Sequence, residues 1–113
     1  MKIITAIVQP FMLSKVTHAL EDLDGFPGMT VTAARGFGAA RQRKLHDDQA
    51  PHFKDFNEKA RIEIVAHDTD VERIVEAIVR AAHTGNHGDG KVFVWPVEQA
   101  VRIQTGETND QAV

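Results

Sequence analysis

Residues 69–95 read "TDVERIVEAIVRAAHTGNHGDGKVFVW", and within this stretch the apolar period changes from that of a helix to that of a strand. Val71, Ile74, Val75, Ile78 and Ala82 trace one apolar stripe, and Thr69 with Glu72 has the spacing of a capping box. The pattern predicts a helix that stops before Gly85. "KVFVW", Lys91 to Trp95, is rich in β-formers and lies between Gly90 and Pro96, so it predicts a strand. A short extended piece is expected again at Val101 to Ile103.

Working outward, Ala60 to His67 alternates, with Ile62 and Ile64 on one face and Arg61, Glu63 and Val65 on the other. Met29 to Phe37 alternates in the same way. Lys2 to Gln9 is a strand of Ile, Val and Thr that Pro10 ends by removing a ladder donor. Leu13, Val16, Leu20 and Leu23 then fall at helical spacing, with Ser14 as the expected N-cap and "DGFPG" at 24–28 as the stop. The order strand, helix, strand, strand, helix, strand predicts an α+β fold: a ferredoxin-like βαββαβ sandwich with both helices on one face of an antiparallel sheet. Ile4, Ala6, Val8, Phe93 and Trp95 put apolar side chains on both faces of the first and last strands. The face without helices is therefore expected to be covered by another copy of the chain.

The 113 residues predict one domain over 1–113. Hydrophobic residues make up 42% and charged residues 26%, which is enough to build a core. A net charge of −3, with no basic run longer than "RQRK" at 41–44, argues against a nucleic-acid partner. The chain has no cysteine, which removes disulfides and thiolate chemistry and suits a reducing compartment. "MKIITAIVQP" is too short and too interrupted for a signal peptide or a spanning helix, so a cytoplasmic protein with no direct membrane insertion is expected.

Three local features raise chemistry. Gly88-Asp89-Gly90-Lys91 between helix and strand could converge backbone N–H groups on an anion, or could be a helix C-cap and turn. The four residues alone favour the plain turn, because short glycine motifs recur by chance. Gly36-Phe37-Gly38 closes the second strand where a long connection, 38–59, departs; adjacent antiparallel strands need only a tight turn, so this length points to function or disorder. His46 with Asp47, Asp48 and His52, or His83 with His87, are candidate ligands for a transition metal, although solvated histidines are the simpler reading. Ser14 is the sole serine and lacks triad partners, so no enzyme is expected.

Four segments, "AIVQPFMLSKVTHAL", "GMTVTAARGFG", "ARIEIV" and "VEAIVRAAHTGNHGDGKVFVWPVEQAVRIQTGE", resemble in order those of PII signal-transduction proteins of the nitrogen-regulatory type. The resemblance implies a non-enzymatic homotrimer binding ATP or ADP between subunits, with AMP a further candidate and Mg²⁺ left open. By the same resemblance Gly88, Asp89, Gly90 and Lys91 would cradle the phosphates, and Arg102 would reach them from a neighbouring chain. Thr30, Gly36, Phe37, Gly38, Lys59, Glu63 and Thr84 match positions that line the pocket or its rim. The connection at 38–59 corresponds to the family's T-loop, so Arg41, Arg43, Lys44, His46, Asp47, Asp48 and His52 would face the target protein, a transporter, efflux system or enzyme.

The chain also departs from the pattern. Ala39-Ala40 replaces an Arg-Gln pair whose glutamine helps hold Mg²⁺ with 2-oxoglutarate. Gln104 replaces an arginine, which implies weaker triphosphate binding. His52 stands where many members carry the uridylylated tyrosine, and Asp48 where a channel-plugging arginine lies. These changes count against 2-oxoglutarate sensing, uridylylation and ammonium-channel control. They favour, as an alternative, a metal-responsive module for Zn²⁺, Ni²⁺ or Cu²⁺ tied to metal transport or homeostasis.

Overall fold

The computed structural model describes residues 1–38 and 56–113. Four strands, β1 (Lys2–Val8), β2 (Thr30–Gly36), β3 (Asn57–Ala66) and β4 (Gly90–Pro96), and two helices, α1 (Leu13–Glu21) and α2 (Val71–Ala82), follow one another in the expected order. The sheet order is β2-β3-β1-β4 with every pair antiparallel. This is the ferredoxin-like arrangement, with β2 and β4 as the edges.

The alternation on β1 and β3 decides where the core sits. Ile4 pairs with Ile64, Ala6 with Ile62 and Val8 with Ala60, and these side chains are buried under Val16 and Leu20 of α1 and Ile74 and Ile78 of α2. Both helices turn their apolar stripes onto that one face, because burial of such stripes stabilises short helices far more than propensity does. The opposite face carries Ile3, Thr5, Ile7, Arg61, Glu63, Val65, Phe93 and Trp95, and Phe93 and Trp95 stay about half exposed.

Both expected helix caps are corrected. Ser14 lies inside α1; the chain enters through a 3₁₀ turn at Pro10–Met12, and the Leu13 N–H donates to Pro10 O. Thr69 likewise lies within a 3₁₀ turn, Asp68–Asp70, where the Asp70 N–H donates to His67 O and the Val71 N–H to Asp68 O. In each case turn carbonyls receive the N–H groups a capping side chain would have taken. Asp70 instead accepts from Arg73, whose Nη2 also donates to Asp24 O at 2.6 Å and so ties α2 to the turn after α1.

β3 starts at Asn57, three residues before the expected Ala60, so Lys59 belongs to a strand rather than to the connection. The polar "NEK" hides the alternation, but Asn57, Glu58 and Lys59 pair with Gly36, Arg35 and Ala34 through the backbone. Val101 to Ile103 is not a strand. Val101 forms a single bridge with Thr108, and Arg102 N donates to Glu107 O at 2.8 Å, which closes a tight hairpin.

Candidate functional site

The glycine turn is shaped by close approach. Gly90 has φ +111°, and a Cβ there would fall 1.7 Å from the carbonyl oxygen of Ile7, so only glycine fits beside β1. Gly88, at φ +88°, leaves its own vacant Cβ position 2.9 Å from Gln9 Nε2 and 3.5 Å from Lys59 Nζ. Lys59 Nζ donates to Gly88 O at 3.0 Å. Lys59 thus brings an ammonium group to a glycine-rich loop, and Lys91 follows that loop as the second residue of β4, which is the composition of an anion cradle.

Asp89 faces the other way. Its carboxylate accepts from the Thr84 N–H at 2.7 Å, the Gly85 N–H at 3.1 Å and the Thr84 hydroxyl. Donation from Thr84, first by its hydroxyl and then by its amide, holds the Asp89 carboxyl below the usual carboxylate range. A carboxylate only accepts hydrogen bonds, and these contacts to Thr84 and Gly85 use it to shape the loop. Thr84 is the other half of this clasp.

Thr30, Glu63 and Arg102 gather elsewhere. They line a cleft of about 580 Å³ with Ile3, Met29, Val65, Val101 and Val113, and Thr30 pairs directly with Glu63 across β2 and β3. Arg61 Nε lies 3.4 Å from Glu63 Oε1 on the same face. Lys91 is on edge strand β4 and Thr30 on the opposite edge, β2. Three strand spacings separate them, about 14 Å. The residues expected to form one site therefore fall in two groups: Gly88, Gly90, Lys91 and Lys59 at the end of the sheet where β4 begins, and Thr30, Glu63 and Arg102 toward the end where β2 begins and β4 has finished.

Gly36 and Phe37 end β2 at the side where the connection leaves, and Phe37 meets Phe56 edge-to-face with ring centroids 4.9 Å apart. Gly38 follows with open space around it. Arg41, Arg43, Lys44, His46, Asp47, Asp48 and His52, with Ala39 and Ala40, lie outside the described residues. His83 and His87 do not form a helical pair, because α2 ends at Ala82 and His83 is already extended. His83 Nδ1 instead lies 3.6 Å from Asp89 Oδ2. Among the described residues no group of three or more metal-ligating side chains is assembled.

Sequence reasoning missed Gln9, beside Gly88, and the tail residues Asn109 and Val113. Asparagine tolerates a left-handed backbone better than most residues, so Asn109 carried a usable signal; the position of Val113 depends on the tertiary return of the tail.

A four-stranded sheet lies under two helices, with a lysine-and-glycine turn at one end of its strands and a half-apolar cleft toward the other. A family model described as Nitrogen regulatory protein P-II matches residues 1–107. Among curated relatives named Nitrogen regulatory protein P-II, that of Azospirillum brasilense is 49% identical, that of Bradyrhizobium diazoefficiens 47% and that of Rhodospirillum rubrum 46%, each over all 113 residues and the whole of both chains. The chain belongs to the nitrogen regulatory protein P-II family, whose members are regulatory signalling proteins and not enzymes. Among the described residues no helix is long and apolar enough to cross a membrane.

Proposed function

We propose that this protein is a P-II-type signal transducer that binds an adenine nucleotide between subunits of a homotrimer and acts on a target protein through the connection between β2 and β3. The observation that carries the reading is the split site. Gly88, Gly90, Lys59 and Lys91 lie at the end of the sheet where β4 begins, while Thr30, Glu63 and Arg102 share a cleft toward the opposite end of the strands. Unlike patches that complete one another across copies make a head-to-tail interface, which closes into a ring when its rotation is a whole fraction of a turn, as in a trimer. The half-exposed Phe93 and Trp95, over a cavity of about 430 Å³ shared with Thr5 and Ile7, supply an apolar face for the ring to bury.

The cradle suits phosphates, since lysines and glycine backbone meet there; the apolar part of the cleft suits a flat base and ribose, and Arg102, which also lines the cleft, is the cation left to reach the phosphates. Glu63 would repel a phosphate placed directly against it. Gln104 lies in the hairpin with Arg102 and brings no charge to the phosphate end, so a modest preference for triphosphate over diphosphate follows. Titration calorimetry with ATP, ADP and AMP tests this reading. Binding of at least one of them supports it; no heat from any of the three at millimolar ligand rejects it.

A further inference from the structure

Helix α2 gives way to a histidine that reaches the glycine turn. The helix ends at Ala82, and His83, already extended with ψ 124°, brings its Nδ1 to 3.6 Å from Asp89 Oδ2. That separation is too long for a hydrogen bond but within the reach of an ion pair, so the contact is an attraction between charges only while the imidazole carries its second proton. Oδ2 is also the oxygen that accepts from the Thr84 and Gly85 amides. The two side chains differ in their access to water. His83 is 73% exposed and exchanges protons freely, whereas Asp89 is 22% exposed, and donation from Thr84 keeps its carboxylate charged at neutral pH. Asp89 stands between Gly88, whose carbonyl holds Lys59 Nζ at 3.0 Å, and Gly90, which packs against Ile7 O. A change of charge beside Asp89 therefore falls inside the turn that builds the anion cradle.

We infer that His83 is a proton sensor of the anion cradle: its protonation offsets the charge of Asp89 and strengthens the hold of the turn on phosphates as pH falls. The inference rests on the nucleotide reading above and adds a regulation which that reading does not contain. While His83 is neutral, Lys59 and Lys91 draw a phosphate in against the field of the Asp89 carboxylate. Once His83 is charged, that field is offset at its source. Affinity for a phosphate ligand then rises as pH falls through the histidine range, about pH 5 to 8. The charged groups around the pair do not supply this dependence. Glu72, Glu76 and Arg80 share a groove with His83 along α2, and Arg80 Nη2 donates to Glu76 Oε1 at 2.7 Å. Lys59 reaches the turn from β3, and Lys91 follows it on β4. Carboxylates, lysines and arginines of ordinary kind do not change charge where a histidine does. His87, within the same turn, is the other histidine nearby, and variants separate the two.

Two measurements on the parent, His83→Asn and His87→Asn test this. In an NMR titration without nucleotide, the Thr84 and Gly85 amide signals should move together with the His83 ring signals in the parent and in His87→Asn, and stay in place through neutral pH in His83→Asn. Calorimetry with ATP at about pH 5.5 and pH 8.5 then reads the effect on binding, on either side of the histidine range. The titration of ATP itself is common to all three chains and cancels when they are compared at one pH. The parent should bind ATP roughly two- to fivefold more tightly than His83→Asn at the lower pH, the scale of one exposed ion pair, and equally at the higher. His87→Asn should follow the parent. Equal affinities of parent and His83→Asn at both pH values would overturn the inference, and so would a pH dependence lost in His87→Asn instead. Parent amides that ignore the His83 ring would overturn it while leaving the nucleotide reading intact. If the parent binds no ATP at either pH, the nucleotide reading fails and takes this one with it, even where the amides follow His83.

Discussion

Lys59 Nζ rests 3.0 Å from the carbonyl oxygen of Gly88, twenty-nine positions later in the chain, and this contact joins β3 to the turn that leads into β4. The lysine lies at the glycine turn with its ammonium on a neutral acceptor, Gly88 O, which a charged acceptor can replace. Lys59→Met should therefore lower ATP affinity about tenfold or more while changing AMP affinity by less, since a charge-assisted contact to phosphate is worth about 1.5–3 kcal/mol. Calorimetry on the two nucleotides checks the ratio; equal losses would place Lys59 away from the outer phosphates.

Gly90 is where the turn is held by space alone. With a Cβ 1.7 Å from Ile7 O and φ at +111°, Gly90→Ala must push β4 off β1. A loss of about 2–4 kcal/mol in unfolding free energy is expected, together with loss of ATP binding. Chemical denaturation measures it, and a stability within error of the parent would show that β1 and β4 part at this end at little cost.

Asp89 gives a prediction with a definite sign. If it acted only through its charge near bound phosphates, Asp89→Asn would strengthen ATP binding by removing repulsion. Because the carboxylate instead accepts three hydrogen bonds from Thr84 and Gly85, the amide group of Asn would set donors against donors and loosen the loop. ATP binding should weaken several-fold. The pH dependence follows from the lowered carboxyl: its contribution is present above the ordinary carboxylate value and is lost as pH falls through the lower folded one. In a His83→Asn variant, which removes the imidazole 3.6 Å from Asp89 Oδ2, the Thr84 and Gly85 amide signals in NMR should accordingly hold steady through neutral pH and shift only in strong acid; a shift near neutrality in that variant would contradict the clasp.

The open sheet face should be an interface. Trp95 Nε1 donates to Thr5 Oγ1 at 3.1 Å, so the ring's polar atom is satisfied while its surface is about half exposed beside Phe93. Trp95→Glu would bring a charge into that apolar face and should shift the parent's trimer toward monomer in sedimentation. A parent that sediments as a monomer, or a variant that stays trimeric, would refute the buried-face account.

How much of this was legible in the sequence depends on whether the signal was local. Ile62 and Ile64 against Arg61 and Glu63 announced β3, and the Val71-to-Ala82 stripe announced α2, because burial on one face leaves a period in the residues themselves. The starts of both helices were misread at Ser14 and Thr69, because backbone carbonyls of the 3₁₀ turns do the capping and leave no side-chain signature. Asn57 to Lys59 looked like loop, since polar residues that pair only through the backbone show no alternation. The separation of Lys91 from Arg102 within one chain could not be read from eleven positions of sequence; it comes from β4, which carries the chain from Lys91 near its start to Pro96 at the other end of the sheet before the hairpin of Arg102 begins.

That separation supports the most direct test of the account, a mixing experiment with Lys91→Ala and Arg102→Ala. Each variant alone has every site damaged, so each should bind ATP weakly. Unfolded together and refolded as mixed trimers, they should recover tight binding at one site per mixed trimer, where an intact Lys91 from one chain meets an intact Arg102 from the next. Calorimetry or equilibrium dialysis on the mixture would show this fraction of sites at the parent's affinity. No recovery on mixing, or parental affinity in either variant alone, would contradict a nucleotide site shared between subunits.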